Sequence, residues 1–137
     1  MPITWSDQYA TGVPQVDHQH QTLFDAVNKL EQQIADGTGV AELPETMAFL
    51  KSYVQNHFTY EEMCMSRGQC AATEANKEAH KKFWEGVLSF EKRLQQEGPS
   101  EQLLVDLYNV SSKWLVGHIC KIDVHLRACA AKLTNAA

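Results

Sequence analysis

The chain has 137 residues and a formal net charge of −5, and this acidic balance argues against nucleic-acid binding, which favours a basic face. Its length is near the commonest domain size, so we expect one domain over residues 1–137 with a continuous core. No apolar stretch approaches the roughly 20 residues of a membrane span, and residues 1–7 do not resemble a signal peptide, so we expect a cytoplasmic protein without a membrane partner.

Capping and helix-breaking residues divide the chain into an extended leading segment and four helices. Asp17 and Ser100 can cap the first and fourth helices, and Pro44 suits the first turn of the second. The third helix is expected from about residue 72 to residue 96. The stop signals after the first three helices are Gly37, Gly68 and Gly98-Pro99. Short loops between long helices predict an all-α, up-down-up-down antiparallel four-helix bundle with an extended N-terminal segment.

Polar residues continue the inward apolar stripe of each predicted helix. These residues are His20, His57, Glu61, Asn76, His80 and His118. In an antiparallel bundle the four histidines and Glu61 meet at one end, where each unpaired buried ion costs roughly several kcal/mol, and Asn76 also faces inward. His57 and Glu61 stand four residues apart and share one helical face. Imidazole and carboxylate groups together favour iron, manganese or zinc, so the pattern predicts a dinuclear metal site.

Asp123 joins this set only if the fourth helix is interrupted. Five residues of regular helix rotate it about 140° away from His118. We therefore expect the helix to end, loosen or kink between the two residues if both bind metal.

The chain contains four cysteines without a Cys-x-x-Cys pair or a regular spacing. They are Cys64, Cys70, Cys120 and Cys129. In a reducing compartment this pattern predicts four free thiols.

Three motifs resemble those of single-domain bacterial hemerythrins, and the resemblance covers nearly the whole chain. They are Trp5, Tyr9, residues 11–13 and residues 17–20; His57-Phe58-x-x-Glu61-Glu62; and Trp114-Leu115-Val116-x-His118-Ile119 with Asp123. The resemblance implies two non-heme iron ions with oxo and carboxylate bridges, which bind dioxygen or another small diatomic ligand reversibly. It also implies a role in oxygen transport, storage or sensing, and we expect the protein to be a monomer.

The resemblance also implies a role for each matched residue. Glu61 and Asp123 would bridge the two ions. His20 and His57 would ligate the iron that binds dioxygen, whereas His80 and His118 would ligate the other. The residues expected around an apolar dioxygen pocket are Trp114, Ile119, Leu104 and Leu107.

One position departs from the family pattern, which has His-x-x-x-His on the third helix. Here that pair reads Asn76-Lys77-Glu78-Ala79-His80, so the second iron loses an imidazole. Asn76 could bind weakly through its side-chain oxygen, hold a water on the metal, or leave the position open. The sequence favours a dioxygen-binding protein over the alternative, a di-iron oxidase or peroxidase-like enzyme that uses an open coordination position. A bundle that has lost its metal and serves as a scaffold is a third reading.

Overall fold

The computed structural model describes the backbone of residues 2–135 and the side chains of residues 2–130. The helices are α1 (Pro14–Asp36), α2 (Leu43–Arg67), α3 (Thr73–Glu97), α4 (Glu101–Lys121) and α5 (Leu126–Asn135), with 3₁₀ turns at Asp7–Tyr9 and Asp123–His125. None of these residues forms a strand. Within the described part of the chain, no helix is long and apolar enough to cross a membrane. The predicted all-α four-helix bundle is confirmed, and α5 is an addition that the sequence pattern did not predict.

The ends of two helices test the predicted caps. The Ser100 hydroxyl accepts a hydrogen bond from the backbone N–H of Leu103 at 3.1 Å, as predicted for the start of α4. The prediction for α1 was wrong, because this helix begins at Pro14 and Val13 occupies the N-cap position. Asp17 therefore lies inside the first turn, where its carboxylate accepts hydrogen bonds from the backbone N–H and hydroxyl of Thr11, each at 2.8 Å. Asp17 thus anchors the leading segment.

Three apolar clusters follow one another along the bundle axis. The cluster at one end contains Leu30, Leu43, Met47, Leu50, Val87, Leu103, Leu104 and Leu107. The middle cluster contains Tyr9, Leu23, Phe24, Val27, Val54, Phe58, Leu115 and Ile119. The third contains Val16, Cys64, Met65, Cys70, Leu126 and Cys129. Along α1, His20 lies between Val16 of the third cluster and Leu23 of the middle one, so the polar residues form a layer between two apolar layers.

A disulfide closes the end of the molecule that carries the third cluster. It joins Cys70, in the loop between α2 and α3, to Cys129 on α5, with a Cα–Cα distance of 5.6 Å. The prediction of four free thiols was therefore wrong for this pair, while buried Cys64 and exposed Cys120 are free. The pair is separated by 59 residues, and only the packing of the unpredicted helix α5 brings its members together.

Candidate metal centre

Six buried side chains form two overlapping groups of potential metal ligands, and the ligand atoms within each group lie within 4.8 Å of one another. One group contains His20, His57, Glu61 and Asp123, and the other contains Glu61, His80, His118 and Asp123. None of the six side chains is more than 6% exposed. Glu61 and Asp123 belong to both groups, so each carboxylate stands where it could bridge two ions.

Each of the four long helices contributes at least one imidazole to this layer. α1 carries His20, α2 carries His57 with Glu61 one turn later, α3 carries His80 and α4 carries His118. All lie on the buried face of their helix, since each continues the apolar stripe that faces the core.

Asp123 reaches the layer because α4 ends at Lys121. Ile122 leaves helical geometry, with φ −122° and ψ −58°, and Asp123 opens the second 3₁₀ turn. The predicted interruption between His118 and Asp123 is confirmed.

The two oxygens of each carboxylate face different histidines. Glu61 Oε2 lies 3.0 Å from His20 Nε2 and 3.5 Å from His57 Nε2, whereas Oε1 lies 3.2 Å from His80 Nε2. Asp123 Oδ2 lies 3.1 Å from His20 Nε2, and Oδ1 lies 2.9 Å from His118 Nε2. This division of oxygens between two sets of imidazoles is the arrangement that a bridging carboxylate requires.

Hydrogen bonds alone do not satisfy this layer. Glu61 Oε1 and both carboxylate oxygens of Asp123 are buried without a hydrogen-bond partner, despite the nearby imidazole nitrogens. His118 Nε2 has three close neighbours, namely Asn76 Oδ1 at 2.9 Å, His80 Nε2 at 3.2 Å and Asp123 Oδ1 at 2.9 Å. A ring nitrogen that carries at most one hydrogen cannot form hydrogen bonds with all three neighbours. Metal ions among these atoms would coordinate the lone pairs of the carboxylate oxygens and imidazole nitrogens. The residues therefore fit a pair of metal ions.

Two hydrogen bonds outside the layer orient ligand histidines. Nδ1 of His57 lies 2.6 Å from Gln19 Oε1, and Nδ1 of His80 lies 3.0 Å from Glu62 Oε2. With Nδ1–H donating to these oxygens, Nε2 keeps its lone pair for a metal. Sequence analysis did not identify these roles, although Gln19 precedes His20 and Glu62 follows Glu61. The only available signal was this adjacency to ligand positions.

Aromatic rings enclose the side of the layer formed by α3 and α4. The Phe58 ring stacks on His80 with centroids 3.7 Å apart, and Trp114 stacks on His118 at 4.3 Å. Both aromatic side chains also line a largely apolar cavity of about 580 Å³, which opens to the surface beside the exposed residues Lys82 of α3 and Val110 of α4.

The four residues expected around a dioxygen pocket lie in different places. Trp114 and Leu107 line the cavity. Ile119 is fully buried in the middle apolar cluster, while Leu104 belongs to the cluster farthest from the polar layer. The structure therefore does not gather these four side chains around one space, and their pocket role stays a prediction.

Asn76 belongs to the second half of the layer. It is fully buried, and its Oδ1 lies 2.9 Å from His118 Nε2, while its Nδ2 has no hydrogen-bond partner. The amide thus presents its oxygen, the atom able to bind a metal, toward the group that contains His80 and His118. The other histidines outside the layer, His18 and His125, are exposed.

Burial and ion pairing give the two histidines of the first group opposite pKa shifts. Burial disfavours protonation of His20, but the adjacent carboxylates of Asp123 and Glu61 outweigh it and raise the His20 pKa to about 9. Burial lowers the pKa of His57 to about 3, and the nearby Glu61 offsets this only in part. Asp123 is also buried, yet His118 and His20 hold its pKa well below the usual range. In the metal-free protein, a proton on His20 therefore partly neutralises the two carboxylates.

Comparisons with known proteins agree with this geometry. A family model described as "Hemerythrin HHE cation binding domain" matches residues 11–129. A bacteriohemerythrin of Methylococcus capsulatus is 34% identical over 122 residues, which cover 88% of this chain and 91% of that protein. A hemerythrin-like protein of Naegleria gruberi is 25% identical and covers 90% of this chain and 89% of its own length. A crystal structure of wild-type hemerythrin superposes with a TM-score of 0.81 at 31% identity, covering 94% of this chain and 98% of the other.

Replacing the shared carboxylate Glu61 with alanine should remove at least one of two metals. If Glu61 contacts both ions, Glu61→Ala weakens both sites and reduces the stabilisation that metal gives the folded state, which is about 4 kcal/mol at metal concentrations 1,000 times Kd. Native mass spectrometry gives the metal count, and thermal unfolding gives the stability. Glu78→Ala, at an exposed carboxylate on α3, is the matched control. Two metals retained in Glu61→Ala would refute the bridge.

Metal binding to the metal-free protein should release the proton of His20. Near pH 7.5 this histidine is protonated because its pKa of about 9 lies above the solution pH, whereas His57, with a pKa of about 3, is already neutral. His80 is a second source of protons, because the nearby Glu61 and Glu62 outweigh burial and raise its pKa. We therefore expect protons to be released when Zn²⁺ is titrated into a weakly buffered solution containing a pH indicator. His20→Gln removes the proton of His20. Equal release from this variant would contradict the assignment.

Proposed function

The chain belongs to the hemerythrin family, and from this premise we propose that it holds two non-heme iron ions and binds dioxygen reversibly as a carrier, store or sensor. The observation that carries the proposal is the pair of ligand groups sharing Glu61 and Asp123, whose buried carboxylate oxygens lack sufficient hydrogen-bond partners. Two iron ions in this layer would supply the electrons for reversible dioxygen binding.

The two ligand groups would bind their metal ions with different affinities. His20 and His57 hold the iron that takes dioxygen, with Glu61 and Asp123 as bridges. His80 and His118 hold the other iron, and Asn76 Oδ1 supplies an oxygen where the family pattern has an imidazole. An amide oxygen is a weaker donor to iron than an imidazole nitrogen, so we expect the second iron to leave first.

The surroundings of the first group favour binding over turnover. Phe24 and Ile119, on α1 and α4, are at most 2% exposed and belong to the middle cluster directly beside the polar layer. Such apolar neighbours limit the access of water, which would carry the reaction beyond reversible binding. Retention of dioxygen therefore depends on this wall as well as on the metal ligands.

The second candidate function is that of a di-iron oxidase or peroxidase-like enzyme. The observation that favours it is Asn76, because a weak ligand leaves the second iron easier to reach than a complete imidazole set would. The cytoplasmic location, the monomeric state, the role in oxygen transport and the absence of a nucleic-acid partner stay predictions.

Dioxygen added to the reduced, iron-loaded protein should change the absorbance in a way that argon reverses. A carrier returns its dioxygen, so an oxygen electrode should record full recovery over repeated cycles. The variant Phe24→Ser, which places a hydroxyl and room for water in the apolar wall, should shorten the oxygenated lifetime. Steady consumption of dioxygen by the unmodified protein in the presence of a reductant would refute the carrier and support the enzyme.

Restoring the family's imidazole should strengthen the second iron site. In Asn76→His, a nitrogen donor one turn before His80 should slow the release of the second iron to a chelator, while Asn76→Ala should speed it. The oxygenated form of Asn76→His should also persist longer than that of the unmodified protein. Anomalous scattering at the iron edge measures occupancy of each site, and stopped-flow absorbance measures lifetime. Equal retention and equal lifetimes would mean that Asn76 fully replaces the imidazole.

A further inference from the structure

Asp123 differs from the other members of the two ligand groups because it lies outside α1–α4. It sits in the 3₁₀ turn that separates α4 from α5. Its carboxylate oxygens lie close to two imidazoles of the same layer, His118 at 2.9 Å and His20 at 3.1 Å, but form no hydrogen bond that would fix them independently of the metal ligands. The position of this ligand therefore depends on the backbone that carries it.

That backbone is tied to α5. The N–H of Leu126, the first residue of α5, bonds to the carbonyl oxygens of Asp123 and Val124. Leu126 is itself fully buried, in the same cluster as Met65 of α2. A displacement of α5 relative to α2 would thus be transmitted to Asp123 across a single turn of chain.

The Cys70–Cys129 disulfide is the covalent tie between α5 and the end of α2. The loop that carries Cys70 is well defined, since Cys70 N–H bonds to the Met65 carbonyl at 3.0 Å and the Thr73 hydroxyl bonds to the Cys70 carbonyl at 2.7 Å. Gly68 permits the close approach of α5, because a Cβ at this position would lie 3.3 Å from Cys129 Sγ. α2 also carries Glu61, so the disulfide links the two segments that position the two shared carboxylates.

We propose that Cys70 and Cys129 form a redox-responsive pair that positions Asp123 for metal binding. The inference rests on the proposed di-iron centre. Two molecules of a small thiol would break the S–S bond, giving two cysteine thiols and one small-molecule disulfide, so that two electrons and two protons pass to the protein. A small-molecule disulfide reverses the exchange. In the cytoplasm, which the sequence predicts, disulfides are usually transient and redox-sensing.

A second attachment would keep the response local. The guanidinium of Arg127, also on α5, donates hydrogen bonds to the backbone carbonyl oxygens of Asp7, Gln8 and Ala10. These contacts and the burial of Leu126 would hold α5 on the bundle after reduction of the disulfide. Reduction is therefore expected to shift Asp123 rather than to release the helix.

The test compares metal retention in oxidised, reduced and reoxidised protein loaded with Co²⁺. After reduction with a phosphine and desalting, release of Co²⁺ to a chelator should be at least about tenfold faster, the lower end of the effect usually seen when an element supporting a ligand is removed. The visible Co²⁺ bands should change, since a carboxylate oxygen moves, and reoxidation should restore both signals. Cys129→Ser should release Co²⁺ as fast as the reduced protein, and reductant should not change its rate. Cys120→Ser, at an exposed free thiol, should behave like the unmodified protein.

The variant Ser100→Ala distinguishes an effect of the disulfide on metal binding from general stabilisation of the fold. It weakens the cap of α4 at the opposite end of the bundle. This variant should lower Tm without changing Co²⁺ release or the Co²⁺ spectrum. Equal release from oxidised and reduced protein, or acceleration by Ser100→Ala as large as that by reduction, overturns the inference. So does a count of four reactive thiols, instead of two, in denatured protein that has not been reduced. Oxidised protein that binds no Co²⁺ would refute the metal centre itself, and the inference with it.

Discussion

The structure depends on two carboxylates, Glu61 and Asp123, that are fully buried with oxygens lacking hydrogen-bond partners. An uncompensated buried charge costs several kcal/mol, a large part of the stability of a domain of this size. The compensation must come from inside the bundle, since the layer is closed by apolar residues on both sides. Imidazoles from all four long helices provide part of it, and the proposed metal ions would complete it.

The need to compensate these buried charges accounts for the arrangement of the residues around the polar layer. Val16 and Leu23 on α1 lie in the apolar clusters on either side of His20, and α2 places Cys64 and Phe58 around Glu61 in the same way. Hydrogen bonds to acceptors outside the layer, such as the one from His57 Nδ1 to Gln19 Oε1, hold the rings in one orientation. The second group is less complete, because Asn76 offers an amide oxygen and leaves its own Nδ2 unpaired. The two halves of the centre are therefore chemically unequal.

The sequence by itself determined the helices and the convergence of the polar residues. Glycine and proline positions marked the ends of the first three long helices to within a few residues, and Ser100 marked the start of the fourth, because helix termination is a local property of the chain. The spacing of His57 and Glu61 placed both on one face of α2, and the geometry of a regular helix showed that α4 must end, loosen or kink before Asp123 if both His118 and Asp123 bind metal. The family motifs then indicated which residues share the layer, including the departure at Asn76.

Only the tertiary structure decided the contacts between residues far apart in the chain. It paired Cys70 with Cys129 across 59 residues, where the cysteine spacing had predicted free thiols. It added α5, set Glu62 against His80, and directed Oδ1 of Asn76 toward His118. It also separated Leu104 from Trp114, although both lie on the inward face of α4. Periodicity reports which face of a helix is buried, whereas depth along the bundle and the partner across it depend on how the helices pack.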